Sequence, residues 1–350
     1  KWLNSQGYTP HGFQLECWAK VSAQLNGLLM APTGSGKTYA LGLPMLLQTE
    51  ASKKALQGIW ITPLRALSFE IYQALNYANE SMGLGLQIAL RNGDTAAKER
   101  QRQQKNSPHI LVTTPESLHL ILASKGYSGR LKQLKLVVID EWHDLMGSKR
   151  GVLIELALSR LRSLSSTLTT WGISATLKDD SLALDVLSGR RAQNEKWVSV
   201  RADIDKAIEI VSLIPKTMDR FPRRGHLGIQ LIDQVIEAIH KHQTVLIFTN
   251  TRSQCEIWYQ QILEKAPEFA GEIAMHHSSI DRQTRSWVEN AIRNESLRAV
   301  VCTSSLDLGV DFAPVEAIIQ IGGPKGVARF MQRAGRSGHQ PGATSLVYFV

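Results

Sequence analysis

The amino-acid sequence predicts an α/β protein of two successive domains with mainly parallel sheets. Three observations carry that expectation. The chain has 350 residues, enough for two cores at ~150 residues per domain. Short apolar runs alternate with longer amphipathic stretches, as strands buried between helices do. The alternation breaks near residue 200 and then resumes, which sets the expected domains at 1–200 and 201–350.

In the first half, the apolar runs at 27–30, 58–61, 109–112, 136–139 and 171–173 are bounded by Gly, Pro, Thr or charged residues and read as buried strands. Segments 38–49, 64–79, 116–123 and 151–161 carry helical periodicity between them. Strand and helix in alternation imply right-handed crossovers and a parallel sheet. Residues 178–199 depart from the pattern, being helical and then rich in Arg, Gln and Asn. Residues 215–228 hold two prolines, two glycines and a basic set, and read as a hinge. A second series follows, with strands expected at 207–213, 244–248, 273–276, 299–303, 317–321 and 344–349. The chain opens on Lys1 without an apolar leader and stops at Val350 in the last expected strand. It therefore reads as a piece of a longer product.

Composition narrows the class. With 43% hydrophobic and 20% charged residues, the chain is too apolar for a disordered protein. No run of about 18 apolar residues is present to span a membrane. The net charge of +9 favours a polyanionic partner. Cys17, Cys255 and Cys302 are far apart, with no CxxC pair. They build neither a zinc site nor a disulfide framework, and a reducing, cytoplasmic compartment fits best.

Ala31-Pro-Thr-Gly-Ser-Gly-Lys-Thr38 lies between an expected strand and an expected helix, the context of a phosphate-binding loop. Gly34 and Gly36, with Thr33 and Ser35 in the same loop, let backbone N–H groups turn inward around phosphate oxygens. Lys37 supplies charge for the β- and γ-phosphates, and the Thr38 hydroxyl a ligand for Mg²⁺. The expected ligands are thus ATP and Mg²⁺. Asp140 and Glu141 directly follow the run at 136–139, at the sheet edge where α/β proteins bind ligands. Asp140 suits Mg²⁺, and Glu141 suits the water that attacks the γ-phosphate, as general base.

Further motifs resemble those of the superfamily 2 helicases along essentially the whole chain. They are Gln14 in Thr9-Pro-His-Gly-Phe-Gln14, Ser174-Ala-Thr176, the stretch 303–311 and Gln332-Arg-Ala-Gly-Arg-Ser-Gly338. More narrowly, the strings 61–67, 140–151, 248–254 and 301–311 resemble the Lhr (large helicase-related) family, closest to its bacterial ligase-associated DEXH-box branch. The resemblance implies two tandem RecA-like P-loop NTPase domains. It also implies an ATP-dependent 3′→5′ translocase that unwinds DNA duplexes or RNA–DNA hybrids in DNA repair, on single-stranded or tailed substrates. A DNA ligase and a nuclease are the implied associates, the bacterial cytoplasm or nucleoid the implied location. The family's C-terminal domains lie outside this sequence.

Residue by residue, the resemblance gives Gln14 to adenine, and Gly309, Asp311 and Gln332 to the nucleotide. Ser174 and Thr176 couple hydrolysis to domain movement. Thr62, Pro63, Arg65, Gly93, Asp94, Thr95, Thr114 and Pro115 contact the nucleic-acid backbone, continued by Asn250, Thr251, Arg252, His277 and Thr303. Such contacts at loop tips position a strand without reading its sequence. Ser278 stands where relatives often carry Gly. Arg333 and Arg336, three apart on an expected helix start, would face one target as arginine fingers, so that catalysis requires the domains to close.

Two other functions compete. A DEAD-box-like RNA strand separator is disfavoured by Asp140-Glu-Trp-His143 and by Gln332. An ATP-gated clamp on nucleic acid is disfavoured by the joint presence of Lys37, Asp140, Glu141, Arg333 and Arg336. Other features read as ordinary structure. His276-His277 and His240/His242 lack partners at metal spacing. Trp142 and Trp171 suit core packing, and the basic stretch 98–105 suits a solvated helix face.

Overall fold

The computed structural model describes the chain except residues 33, 175–179, 190–195, 204–206, 216–227, 308–314, 325 and 339–343, and the side chains of 282 and 328. Thr33, Thr176, Gly309 and Asp311 lie outside the described residues, as does nearly all of the expected hinge. The chain divides into two compact units, Lys1–Ile204 and Asp205–Val350.

The first unit is a parallel sheet of β1 (Asn26–Met30), β2 (Gly58–Ile61), β3 (Ile88–Arg91), β4 (Ile110–Thr113), β5 (Leu136–Ile139), β6 (Thr169–Ser174) and β7 (Trp197–Arg201), in the order β3-β4-β2-β5-β6-β1-β7. Its inner strands are buried on both faces, and alternate residues enter two separate cores. Leu29, Trp60 and Val138 belong to one core, and Leu28, Ile59 and Val137 to the other. Gly27 is dictated by close packing, because a Cβ there would lie 2.7 Å from the Trp171 ring. Two strands escape the sequence reading, β3 and β7. Both are edge strands with mostly half-exposed side chains, so neither shows the apolar run that marks an inner strand. The open edge of β3 is partly covered, as Gln103 Nε2 donates to the Leu90 carbonyl (3.0 Å).

The second unit contains β8 (Ile208–Ser212), β9 (Val245–Phe248), β10 (Ile273–His276), β11 (Ala299–Cys302), β12 (Ala317–Gln320) and β13 (Ser345–Phe349). They form a parallel sheet in the order β10-β11-β9-β12-β13-β8. Its two faces pack around Ile247 and Trp258 on one side, and Phe248 and Ile318 on the other.

The two units share a topology. In the first, β2 to β5 are ordered β3-β4-β2-β5; in the second, β9 to β12 are ordered β10-β11-β9-β12. Because every pairing between these strands is parallel, their C-terminal ends share one edge in each unit. Among the described residues, the phosphate loop, Asp140 with Glu141, Ser174 and the loops after β2, β3, β4, β9, β10 and β11 are carried on those edges.

Candidate nucleotide and nucleic-acid sites

The phosphate loop joins β1 to the helix Lys37–Gln48. Gly34 and Gly36 have φ of 79° and 80°, values that side-chain-bearing residues rarely adopt. Gly36 caps the helix, so free N–H groups of its first turn face the loop. The Gln14 side chain ties this turn down. Its Nε2 donates to the Gly36 carbonyl (3.0 Å), and its Oε1 accepts from His11 N (2.9 Å). A Cβ on Gly36 would lie 2.8 Å from that amide nitrogen. Ser35 is buried and donates from Oγ to the Pro32 carbonyl (2.8 Å).

Lys37 Nζ lies 2.7 Å from Glu141 Oε1, with both side chains nearly excluded from solvent. Asp140 is also buried. Its Oδ1 accepts from Glu141 N (2.9 Å) and its Oδ2 from Trp60 Nε1 (3.3 Å). Burial first, and the Glu141 carboxylate second, push the Asp140 carboxyl up to about 6. Glu141 has φ 50°, a left-handed conformation that costs a non-glycine residue about 1–2 kcal/mol. Strain of this kind is held only where the surroundings over-determine it, here by the Lys37 pair and by the helix Trp142–Leu145 that Glu141 begins.

His143 connects this pair to the next strand. Its Nδ1 lies 3.2 Å from Ser174 Oγ at the end of β6, and its Nε2 lies 3.5 Å from Glu141 Oε2. Burial holds the imidazole below its ordinary pKa, against the opposing pull of Glu141. Neither His143 nor Trp60 was singled out from the sequence. His143 stands in the Asp140–His143 run and could have been found there. Trp60 is announced only by the pairing of β2 with β5. Trp142 and Trp171 are both fully buried.

These groups fit a nucleotide triphosphate. The glycine loop and helix start offer N–H donors, the Lys37 ammonium is held by an exchangeable anionic partner, and two carboxylates stand beside it. Thr38 stands in the first turn of the same helix.

The expected nucleic-acid residues lie on neighbouring strand ends. In the first unit β3, β4 and β2 are adjacent and carry 92–95, Thr114 with Pro115, and Thr62 with Pro63. Exposure differs from the expectation of loop tips. Thr62 is fully buried and donates from its N–H to the Thr113 carbonyl (3.0 Å). Thr114 is buried, with Oγ1 donating to Ser117 Oγ (3.3 Å), and Pro115 begins the following helix. Buried side chains support these turns, leaving the exposed contacts to others. Arg65 and Asp94 are exposed and paired at 2.7 Å. A Cβ on Gly93 would lie 2.6 Å from the Arg65 guanidinium carbon. Thr95 Oγ1 accepts from Asn92 N (3.0 Å).

In the second unit β10, β11 and β9 are likewise adjacent. Asn250 Nδ2 donates to the Gly323 carbonyl (2.9 Å). Thr251 caps the helix Arg252–Lys265, accepting from Gln254 N (3.2 Å), and Arg252 is exposed. His277 is buried, its Nδ1 accepting from Ser279 N (3.3 Å). Thr303 N donates to the His276 carbonyl (3.2 Å). His276 itself sits between Ser305 Oγ (2.7 Å) and Glu289 Oε1 (3.1 Å).

Arg333 requires a correction. It stands near the end of the helix Val327–Ala334, not at a helix start, and Arg336 lies beyond that end. Arg333 is only 2% exposed. Its Nε and Nη2 donate to Asp307 Oδ1 (2.7 Å) and Oδ2 (3.3 Å), its Nη1 to Gln320 Oε1 (2.8 Å), and its guanidinium lies 4.6 Å from the Phe248 ring centre. With this many internal partners the guanidinium is held inside the second unit, where it clamps Asp307. Arg336 donates from Nη2 to the Asp307 carbonyl (3.0 Å), and Gln332 is buried.

Comparison with known proteins agrees with the fold. A DEAD/DEAH box helicase model matches residues 11–184, and a helicase conserved C-terminal domain model matches 228–340. The chain is 35% identical to the ATP-dependent helicase Lhr-Core protein 2 of Thermococcus barophilus, over 90% of this chain and 39% of that protein. It is 31% identical to the Lhr helicase/uracil glycosylase of Escherichia coli, over 97% and 26% of the two chains. The structure of Mycobacterium smegmatis helicase Lhr bound to ssDNA and AMP-PNP superposes with a TM-score of 0.83 at 29% identity, covering 99% of this chain and 46% of that one. The chain thus spans less than half the length of these relatives. Among the described residues no helix is long and apolar enough to cross a membrane. With tandem RecA-like sheets, both helicase models matched and Lhr relatives aligned over nearly all of its residues, the chain belongs to the Lhr family of superfamily 2 helicases.

Proposed function

We propose that this chain is an ATP-driven motor core that moves 3′→5′ along single-stranded DNA and separates DNA duplexes or RNA–DNA hybrids during DNA repair. The observation that carries the reading is the Lys37–Glu141 pair at the end of the glycine loop, with Glu141 buried and Lys37 largely so. A desolvated ammonium and carboxylate in contact are costly to keep unless a ligand uses them. Lys37 would exchange Glu141 for the phosphates, which frees Glu141 to take a proton from the attacking water. Thr38 and Asp140 would hold Mg²⁺, whose charge offsets that developing on the phosphates. Of the two arginines, Arg336 would take the role at the γ-phosphate, because Arg333 holds both carboxylate oxygens of Asp307 whereas Arg336 bonds the Asp307 backbone carbonyl. His143 would relay the change at Glu141 to Ser174.

Nucleic acid is assigned to the β3-β4-β2 and β10-β11-β9 edges, the N-terminal domain taking 1–200 and the C-terminal domain 201–350. Support comes from the relative whose structure holds ssDNA and AMP-PNP. A DNA ligase and a nuclease as associates, and a place in the bacterial cytoplasm or nucleoid, belong to the same reading. The test measures ATP hydrolysis with and without single-stranded DNA, then unwinding of 3′-tailed DNA–DNA and RNA–DNA duplexes. An ATPase rate indifferent to DNA refutes the motor. Stimulated hydrolysis without movement along long single strands would favour the clamp.

A further inference from the structure

The helix Ala97–Lys105 begins just after the loop 92–95, and its basic residues have a use beyond solvation. Three guanidiniums gather where this helix, the end of β3 and the helix Tyr127–Leu131 meet. Arg91 ends β3, and Arg91 and Arg130 line one small cavity with Gln103 and Tyr127. Arg100 Nη2 donates to the carbonyls of Gly93 (3.1 Å) and Asn92 (3.5 Å), against the loop that follows Arg91. Arg130 donates to the Gln104 and Lys125 carbonyls and to Ser124 Oγ, each at 3.3 Å.

None of the three has a carboxylate within ion-pair distance among the described residues. Elsewhere in this unit Arg65, Arg102, Arg150 and Arg201 pair with Asp94, Glu99, Glu116 and Asp180. Among the described residues Arg91 makes no side-chain hydrogen bond, and Arg100 Nε is buried without a partner. Partial burial, with Arg100 and Arg130 nearby, lowers the pKa of Arg91. Guanidiniums gathered without a carboxylate among them keep positive charge that a phosphate can pair with.

The small cavity shares Gln103, Ser107, Pro108 and Arg130 with a larger one of about 820 Å³ that runs beneath the edge of β3. That groove carries Lys54, Arg102 and Lys105, opposed by Glu80 and by Glu99, which is already bonded to Arg102. A basic path thus leads from the loop 92–95 down the side of the first unit, away from the phosphate loop.

We propose that Arg91, Arg100 and Arg130 bind backbone phosphates of the nucleic acid beyond the β3 loop, extending the track off the sheet edge. The proposal rests on the nucleic-acid reading above, and the test separates the two. Binding of single-stranded DNA is measured across a salt series for the wild type, Arg91→Gln/Arg130→Gln and Arg91→Lys/Arg130→Lys. At about 0.7 in log–log slope per single-strand phosphate, loss of two contacts flattens the slope by about 1.4, so a fourfold rise in salt weakens the wild type about sevenfold more than the Gln variant. The Lys variant should keep the wild-type slope. Half-buried Arg130→Gln alone should lose about half the effect, and serves if the double variant is unfolded by thermal melting. An unchanged slope in a folded Gln variant overturns the phosphate site and leaves the motor reading standing. A wild type that binds no single-stranded DNA overturns both.

Discussion

Replacing Arg333 with alanine tests whether this arginine is a clamp or a finger. The substitution removes three side-chain hydrogen bonds, two of them to Asp307, and the guanidinium that lies against Phe248. Asp307 is 3% exposed and Gln320 fully buried, so both are left in a medium that cannot hydrate them. Breaking a buried ion pair from one side costs about 3–5 kcal/mol. Arg329 Nε remains 3.3 Å from Asp307 Oδ2, which puts the expected loss at the lower end, about 3 kcal/mol. The second unit spans Asp205–Val350, a size at which each kcal/mol moves the melting temperature by about 2–4 °C, so its transition should fall by about 10 °C. Arg333→Lys keeps the charge but loses the two-pronged geometry, and should recover only part of this. Calorimetry or circular dichroism reads the shift, and a phosphate-release assay at a temperature where the variant is folded reads the chemistry. A variant that melts with the wild type yet loses hydrolysis would refute the clamp and restore the finger.

Other perturbations follow from the first unit. Lys37→Ala and Glu141→Gln should each lower DNA-stimulated ATP hydrolysis by at least ~10²-fold, the lower range for a positioned acid–base group; robust hydrolysis by Glu141→Gln removes the assigned base. His143→Ala should reduce the base pairs unwound per ATP more than it reduces hydrolysis, because it cuts the link from Glu141 to Ser174. Equal losses in both assays would deny it that role. Gly27→Ala should destabilise the first unit by about 1–3 kcal/mol in urea unfolding, the range for an overpacked core, since its Cβ has no room beside Trp171.

What the sequence disclosed and what it hid divide along physical lines. The inner strands β1, β2 and β5 are apolar on both faces, so their composition alone marks them. Edge strands β3 and β7 bury less and look like loops. The phosphate loop is legible because its chemistry is local, eight consecutive residues between a strand and a helix. Arg333 is not, because its partners Asp307, Gln320 and Phe248 come from three other places in the second unit. Spacing of three residues suggested that Arg333 and Arg336 share a target, and they do share Asp307, one through its carboxylate and the other through its carbonyl, although the helix ends between them. Trp60 was hidden because its use is set by a strand neighbour distant in sequence, whereas His143 stands in the Asp140–His143 run itself.

The strand order also explains how one small sheet can serve two ligands. Along the edge of the first unit, β3, β4 and β2 carry the proposed nucleic-acid loops, while β5, β6 and β1 carry Asp140 with Glu141, Ser174 and the phosphate loop. The two sets meet where β2 lies beside β5. At that border Trp60 of β2 donates to Asp140 after β5 (3.3 Å), and Thr62 follows Trp60 by two residues. The turn at 62–65 therefore stands one short step from the Trp60 indole that holds the Asp140 carboxylate. The second unit repeats the first half of this arrangement, with β10-β11-β9 beside β12. There the position beside β9 presents Gln320 and the Arg333 clamp in place of an acidic pair. The same architecture thus carries a proposed strand-binding edge in each unit, and the carboxylates proposed for hydrolysis in the first.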